Sequence, residues 1–196
     1  MRTTIIVIGV IIVILLFTVF PAISSYNSMV TKDEQVKSAW AQVENVYQRR
    51  LDLIPNLVNT VKGAANFEKE TLTQVIEARA KATQVTVDPT KMTEESLQKF
   101  QAAQGQVSSS LSRLLVSVEQ YPQLRATEAF MQLQSQLEGT ENRITVERQR
   151  FNQVAQDYNS YIRGFPRNMF ASMYGFMQKP YFTADKEAAR TPKVNF

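Results

Sequence analysis

The sequence predicts an all-α protein in which an N-terminal transmembrane helix leads into an antiparallel, roughly four-helix bundle with long first and last helices. Three observations predict this fold. Residues 5–23 carry no charge, and this length is close to the ~20 residues that cross a bilayer as a helix. Beyond them, apolar residues recur at spacings of three and four, which is the period of an amphipathic helix. No stretch of useful length shows the alternation of a β-strand.

The composition excludes several kinds of function. The 196 residues include 22 Lys and Arg against 18 Asp and Glu, and this small basic excess forms no block that would indicate nucleic-acid binding. The chain contains no cysteine and no histidine. Nucleophile pairs that use histidine, thiolate chemistry and cysteine-ligated metals are therefore excluded. We expect no catalytic residues, no cofactor and no metal site.

The apolar N-terminal run is predicted to be a retained membrane anchor. A cleaved signal peptide is the alternative, because residues 22–24 place small side chains at suitable offsets. The run is longer than the usual apolar core of a signal peptide, which favours the anchor. Arg2 lies before it, and Lys32 and Lys37 follow it, so the positive-inside count does not decide the orientation. The short leading stub favours a single pass through a bacterial plasma (inner) membrane with an extracytoplasmic bulk.

The first helix after this run contains a proline in its interior. Its apolar stripe comprises Tyr26, Met29, Val36, Trp40, Val43, Tyr47, Ile54, Leu57 and Val61. An interior proline costs roughly 3 kcal/mol because it removes a hydrogen bond and clashes one turn back. Since the stripe keeps its register past Pro55, we predict a kink there and not an end. The carbonyl freed near Leu51 is expected to accept a bond from Asn142, Asn152 or Asn159 on the last helix.

Three further helices follow. A second is predicted over about residues 67–83. A third begins after Thr93, a good N-cap residue, and ends at Pro122. The fourth keeps one heptad register from about residue 130 to 165, so Gly139 is predicted to lie inside it. Short connections and helices of this kind are typical of bundles.

We divide the chain into four predicted segments. They are an anchor (residues 1–25), a helical-bundle domain (26–165), an aromatic-rich segment (166–182) and a polar tail (183–196).

Several motifs after the anchor resemble those of one known family. They are YNSMV, RRLDLIPNLVNTVKG, EAR, EQYPQL, LEGTENRI and RFNQVAQDYN, spread from residue 26 to residue 159. The chain resembles the LemA family of bacterial membrane-anchored helical proteins. The resemblance implies a helical bundle on a membrane anchor and no established catalytic residues. Members of the family often accompany envelope-maintenance proteins, which implies a role as scaffold or adaptor.

Charged residues interrupt the apolar stripes at or beside inward positions. They are Arg50, Arg79, Glu141, Glu147 and Arg148. Acids and arginines close together could form an active site that uses acid–base chemistry. Ion pairs that fix the register of packed helices are the better-attested use of such groups. We therefore predict a structural polar layer, in which Arg50 or Arg79 pairs with Glu141 or Glu147.

Two groups of apolar residues are predicted to contact the membrane or a second copy. The first is Met29 and Trp40, because the short second helix leaves part of the long first helix uncovered, and this predicts a homo-oligomer. The second is Met169, Phe170, Met173 and Phe176, on one side of a short helix over about residues 168–176. In an up-and-down bundle this helix returns to the bilayer, where its aromatic residues either enter the headgroup region or cap the open end of the bundle.

Three functions remain compatible with the sequence. The first is a membrane-anchored, non-enzymatic scaffold or interaction protein of the bacterial envelope that binds lipid, itself and envelope partners. The second is a ligand sensor with a site between helices. The third is an enzyme that uses carboxylates alone, with or without a divalent cation. The sequence favours the first.

Overall fold

The computed structural model describes the backbone of residues 2–63 and 67–183, and within these ranges the side chains of residues 6–9, 22–63 and 67–183. These ranges contain six helices: α1 (Arg2–Lys62), α2 (Lys69–Gln84), α3 (Glu94–Val118), α4 (Pro122–Arg125), α5 (Glu128–Arg163) and α6 (Arg167–Met173). The described ranges contain no strand. The prediction of an all-α protein is confirmed.

The long helices run up and down beside one another. Trp40 of α1 packs its ring 5.6 Å from that of Phe151 of α5, and Arg50, further along α1, meets the earlier residue Glu141. The two helices are therefore antiparallel. Helix α3 runs parallel to α1, because Trp40 contacts Phe100 and Arg50 reaches the later residue Gln104.

The core consists of two apolar clusters with Arg50 at their boundary along α1. One contains Trp40, Phe100, Phe151 and Phe182. The other occupies the opposite half of the bundle, where buried leucines of α1, α2, α3 and α5 meet. Burial of these side chains is the main stabilising contribution to a bundle of this kind.

Most helix boundaries follow the local signals in the sequence. The Thr93 side chain accepts a hydrogen bond from the amide of Ser96, and Ser96 returns one to the amide of Thr93, a capping box that begins α3. Gly139 lies inside α5, as the unbroken register predicts. Pro122 begins the short helix α4 four residues after α3 ends, which fits its preference for the first helical position.

Helix α1 passes without interruption through Pro55 and through the predicted domain boundary between residues 25 and 26. Among the residues whose side chains are described, no helix is long and apolar enough to span a membrane. Most of the predicted span, residues 10–21, lies outside those described side chains. The predicted polar tail lies outside the described residues from residue 184 onward.

The prediction that Met29 and Trp40 form a membrane or oligomer contact is wrong, because both side chains are 0% exposed within the chain itself. The ring of Phe182 stacks on Trp40 with their centroids 5.9 Å apart. Trp40 is thus covered by an extended residue after α6, which the relative lengths of the helices do not reveal. Phe170 and Phe176 are also partly buried against the same core cluster, whereas Met169 and Met173 are exposed.

Candidate functional site

Arg50 is the centre of a polar layer across the bundle. The side chain is 2% exposed, and its Nη1 donates to Ser108 Oγ at 2.7 Å and to Glu141 Oε2 at 2.9 Å. Nη2 donates to the side-chain and backbone oxygens of Gln104, at 2.7 and 3.1 Å. The pairing of Arg50 with Glu141 is one of those that the sequence predicts. Glu141 is 53% exposed, so this layer opens to solvent on one side.

The other members of the predicted layer lie elsewhere. Glu147 is half-buried and forms a 3.9 Å ion pair with Arg150 of its own helix. Arg148 donates to the backbone oxygen of Thr183 at 2.9 Å and lies over the ring of Phe182. Arg79 forms no ion pair with an acid among the described residues. The predicted five-residue layer is therefore reduced to Arg50 and Glu141, with Gln104 and Ser108 from α3 completing it.

Arg79 instead satisfies the backbone of α1 next to Pro55. Its Nε donates to the carbonyl of Leu51 at 2.8 Å, and this is the carbonyl that the missing N–H of Pro55 leaves free. The expected asparagine partner for Leu51 is wrong, because the donor comes from α2 and not from α5.

Asn152 and Asn159 bind the extended C-terminal segment, residues 177–183. Asn159 Nδ2 donates to the carbonyl of Lys179, and the amide of Lys179 donates back to Asn159 Oδ1, both at 2.8 Å. Asn152 makes the same pair of bonds with Phe182, at 2.9 and 2.8 Å. Two side chains seven residues apart on α5 thus hold the main chain of the segment as a neighbouring strand would.

Charge also fixes this segment. Lys179 is 8% exposed and pairs with Asp33 of α1 at 2.9 Å. Lys37 pairs with the other oxygen of Asp33 at 2.9 Å. Burial opposes the charge of Asp33, but the bonds from both lysines outweigh it and hold the pKa of this carboxyl below its usual value. Burial, together with the nearby charge of Asp33, raises the pKa of the Tyr158 hydroxyl, which donates to the carbonyl of Met177 at 3.0 Å.

A cleft of about 870 Å³ lies beside the segment. Its wall comprises parts of α1 and α5, the start of α3, the loop before α3, the residues just after α6 and the segment itself, with Asp33, Leu97, Tyr158 and Lys179 among the lining residues. The size falls within the range of ligand sites. Asp33 and Lys179 are the most buried of the charged residues that line the cleft, and they are already paired with each other.

One end of the bundle carries a group of exposed apolar side chains. We call it the α6 end, formed by residues 22–32 of α1, the last turn of α5 and residues 164–177. Tyr26 contacts Tyr174, with ring centroids 5.0 Å apart. Phe165, Met169 and Met173 are 82%, 65% and 66% exposed. The sequence predicts that this region either contacts the membrane or packs on the bundle. Phe170 and Phe176 pack on the bundle, whereas Met169 and Met173 face outward.

Comparison with known proteins agrees with the motifs that resemble the LemA family. The model of the LemA family matches residues 39–196. The chain belongs to the LemA family. Magnetosome protein MamQ 2 of Paramagnetospirillum magneticum is 27% identical over 186 residues, which cover 86% of this chain and 68% of that protein. Protein LemA of Metamycoplasma hominis is 24% identical over 167 residues, which cover 85% of this chain and 73% of that protein. Magnetosome protein MamQ of Magnetospirillum gryphiswaldense is 27% identical over 186 residues, which cover 86% of this chain and 68% of that protein.

The sequence reasoning missed the docking of residues 177–183 on the bundle of this LemA-family chain. One signal was present, because Asn152 and Asn159 stand seven residues apart and share a helix face. Their partner could not be read from the sequence, since a side chain that binds backbone imposes no pattern on the residues it binds.

Proposed function

We propose that the protein is a membrane-anchored, non-enzymatic scaffold of the bacterial cell envelope. Residues 5–23 anchor it as a single pass in the plasma (inner) membrane, and the bundle is an extracytoplasmic interaction domain. The α6 end rests on the bilayer surface and fixes the orientation of the bundle.

The observation that carries this proposal is the position of the exposed residues Phe165, Met169 and Met173. They lie at the end of the bundle where Tyr26 contacts Tyr174, and Tyr26 follows the uncharged run 5–23 by three residues. A bilayer that holds the run therefore lies next to these side chains. Aromatic and apolar residues beside cations are typical of the membrane–water interface.

Membership of the LemA family supports a role in the envelope, because members of the family often accompany envelope-maintenance proteins. The ligand-sensor alternative has the cleft beside the segment in its favour, but a ligand there would compete with the ion pair between Asp33 and Lys179. We do not propose self-assembly, because Met29 and Trp40, from which it was predicted, are buried within one chain.

Charges placed in the proposed anchor test its insertion. Each aspartate at the centre of a membrane helix costs about 3 kcal/mol, so Leu15→Asp with Leu16→Asp is expected to abolish stable insertion. Membranes from cells that express the full chain are washed with alkaline carbonate, and the chain is followed between pellet and supernatant. The unchanged chain stays in the pellet, and the double variant moves to the supernatant.

The control places the same charges on the bundle, at Val116 and Val146, which are exposed on α3 and α5. Val116→Asp with Val146→Asp is expected to stay in the pellet. Retention of the Leu15→Asp, Leu16→Asp chain in the pellet would contradict the proposed anchor.

A further inference from the structure

We propose that the α6 end contains a binding site for the phosphate of an anionic phospholipid, with Lys32 and Arg167 as the cations that bind it. This inference rests on the proposed function, because it requires the α6 end to face a bilayer. It adds the class of lipid that this end recognises.

The geometry brings two cations from different helices to one ring. Lys32 Nζ lies 5.4 Å and Arg167 Cζ lies 4.3 Å from the ring centroid of Tyr161. Lys32 comes from α1, Tyr161 from the last turn of α5, and Arg167 from the first turn of α6. The ring attracts each cation through its quadrupole but neutralises neither. A single anion that contacted both cations would offset their mutual repulsion.

The nearby acids do not supply that anion. Neither Lys32 nor Arg167 has a carboxylate oxygen within 4.0 Å among the described residues. The three carboxylates on adjoining turns are engaged elsewhere: Asp33 with Lys179 at 2.9 Å, Glu34 with Lys37 at 2.6 Å, and Asp157 with the amide of Gln153 at 3.2 Å. Arg163, exposed at the end of α5, adds a third cation nearby.

The apolar surroundings favour a lipid over a soluble anion. Met169 and Met173 follow Arg167 on the same short helix and are exposed. Ile23 and Tyr26, exposed on α1, lie on the same end of the bundle. A soluble phosphate requires the cations alone, whereas exposed apolar side chains beside basic ones are the composition of a surface that binds anionic membranes.

A simpler role for the two cations is to compensate the negative end of the α5 dipole. That role depends on charge and affects folding stability, but it does not distinguish one lipid from another. A measurement of lipid preference therefore separates the two.

The test uses the purified full chain in a neutral detergent, titrated with phosphatidylglycerol or phosphatidylcholine, with bound lipid counted by native mass spectrometry. Two cations at an anionic headgroup correspond to roughly a 30-fold preference for phosphatidylglycerol. Lys32→Gln with Arg167→Gln is expected to reduce that preference to about twofold or less, and Arg167→Gln alone to about fivefold. Lys32→Arg with Arg167→Lys keeps both charges and is expected to keep most of the preference.

The matched control is Lys62→Gln with Arg125→Gln, which removes two exposed cations that lie outside the α6 end. It is expected to leave the preference unchanged. Equal binding of both lipids by the unchanged chain, or an equal loss in the control, would overturn the site. So would displacement of phosphatidylglycerol by inorganic phosphate at matched ionic strength, which indicates a soluble-anion site. Retention of the Lys32→Gln, Arg167→Gln chain in carbonate-washed membranes shows that the proposed anchor stands even where the lipid preference fails.

Discussion

At the scale of single residues, Pro55 is tolerated inside α1 because Arg79 replaces the hydrogen bond that proline cannot make. The carbonyl of Leu51 lies four residues before Pro55 and accepts from Arg79 Nε at 2.8 Å. The sequence marks both residues as exceptions, one as a helix breaker and the other as a charge on an apolar stripe. The structure shows that the two exceptions form one interaction.

Removal of the Arg79 donor is expected to matter only while Pro55 is present. Arg79→Met keeps an unbranched side chain but leaves a carbonyl in a partly buried position without a partner, at a cost of about 1–3 kcal/mol. In a Pro55→Ala chain the new backbone N–H can bond to Leu51, so the same substitution is expected to cost less than about 1 kcal/mol. Chemical denaturation of the four chains, followed by circular dichroism, gives the coupling energy, expected at about 1–2 kcal/mol.

The control for this cycle is Arg113→Met. Arg113 bonds to Gln74 on the exposed face between α2 and α3, so its loss is expected to cost less than about 0.5 kcal/mol with either residue at position 55. An Arg79→Met cost that is the same with proline and with alanine would refute the link between the two residues.

At the scale of elements, the segment formed by residues 177–183 closes the bundle although it has no regular secondary structure. Phe182 fills the space beside Trp40 and Phe151, while Asn152 and Asn159 satisfy the segment's backbone. Each buried backbone group needs such a partner. The segment is therefore held by named side chains of α5, and its stability can be changed at those positions.

Asn159→Leu is expected to loosen this segment without unfolding the bundle. The substitution removes the two bonds to Lys179 and the bond that Asn159 donates to the Tyr181 hydroxyl. A loss of about 1.5–3 kcal/mol corresponds to roughly 10- to 100-fold faster hydrogen exchange at the Lys179 amide. Exchange is measured by mass spectrometry on the full chain, with the Leu114 amide of α3 as an internal reference.

Asn142→Leu is the matched control, because Asn142 is an exposed amide side chain on the same helix. It is expected to leave exchange at Lys179 unchanged. If Asn159→Leu leaves that exchange rate unchanged as well, the two asparagine bonds do not hold the segment.

At the scale of the whole molecule, the sequence predicts the helices better than it predicts which residues pack over them. The apolar periodicity that defines α1, α3 and α5 is local, and it survives Pro55 and Gly139 because packing stripes keep their register through such residues. The pairing of Arg50 with Glu141 is one of the four that charges on or beside the facing stripes predict. The burial of Trp40 does not follow, because the covering residue, Phe182, comes from an extended segment with no periodic signal.

The up-and-down order of the helices also determines where the chain meets its surroundings. Because α5 runs antiparallel to α1, the residues after it return to Tyr26, next to the uncharged run 5–23. The exposed methionines of α6 are therefore at the end that the proposed anchor holds against the bilayer. We therefore propose that Met169 and Met173 lie in the headgroup region.

The most direct measurement is lipid quenching of a tryptophan placed at position 173. The full-length Met173→Trp chain is reconstituted in vesicles with quenchers at headgroup and shallow acyl depths. The unchanged chain is the control, because its only tryptophan, Trp40, is 0% exposed. We predict strong quenching of the added emission and little quenching of Trp40. Added emission that is no more quenched than that of the unchanged chain would contradict the account.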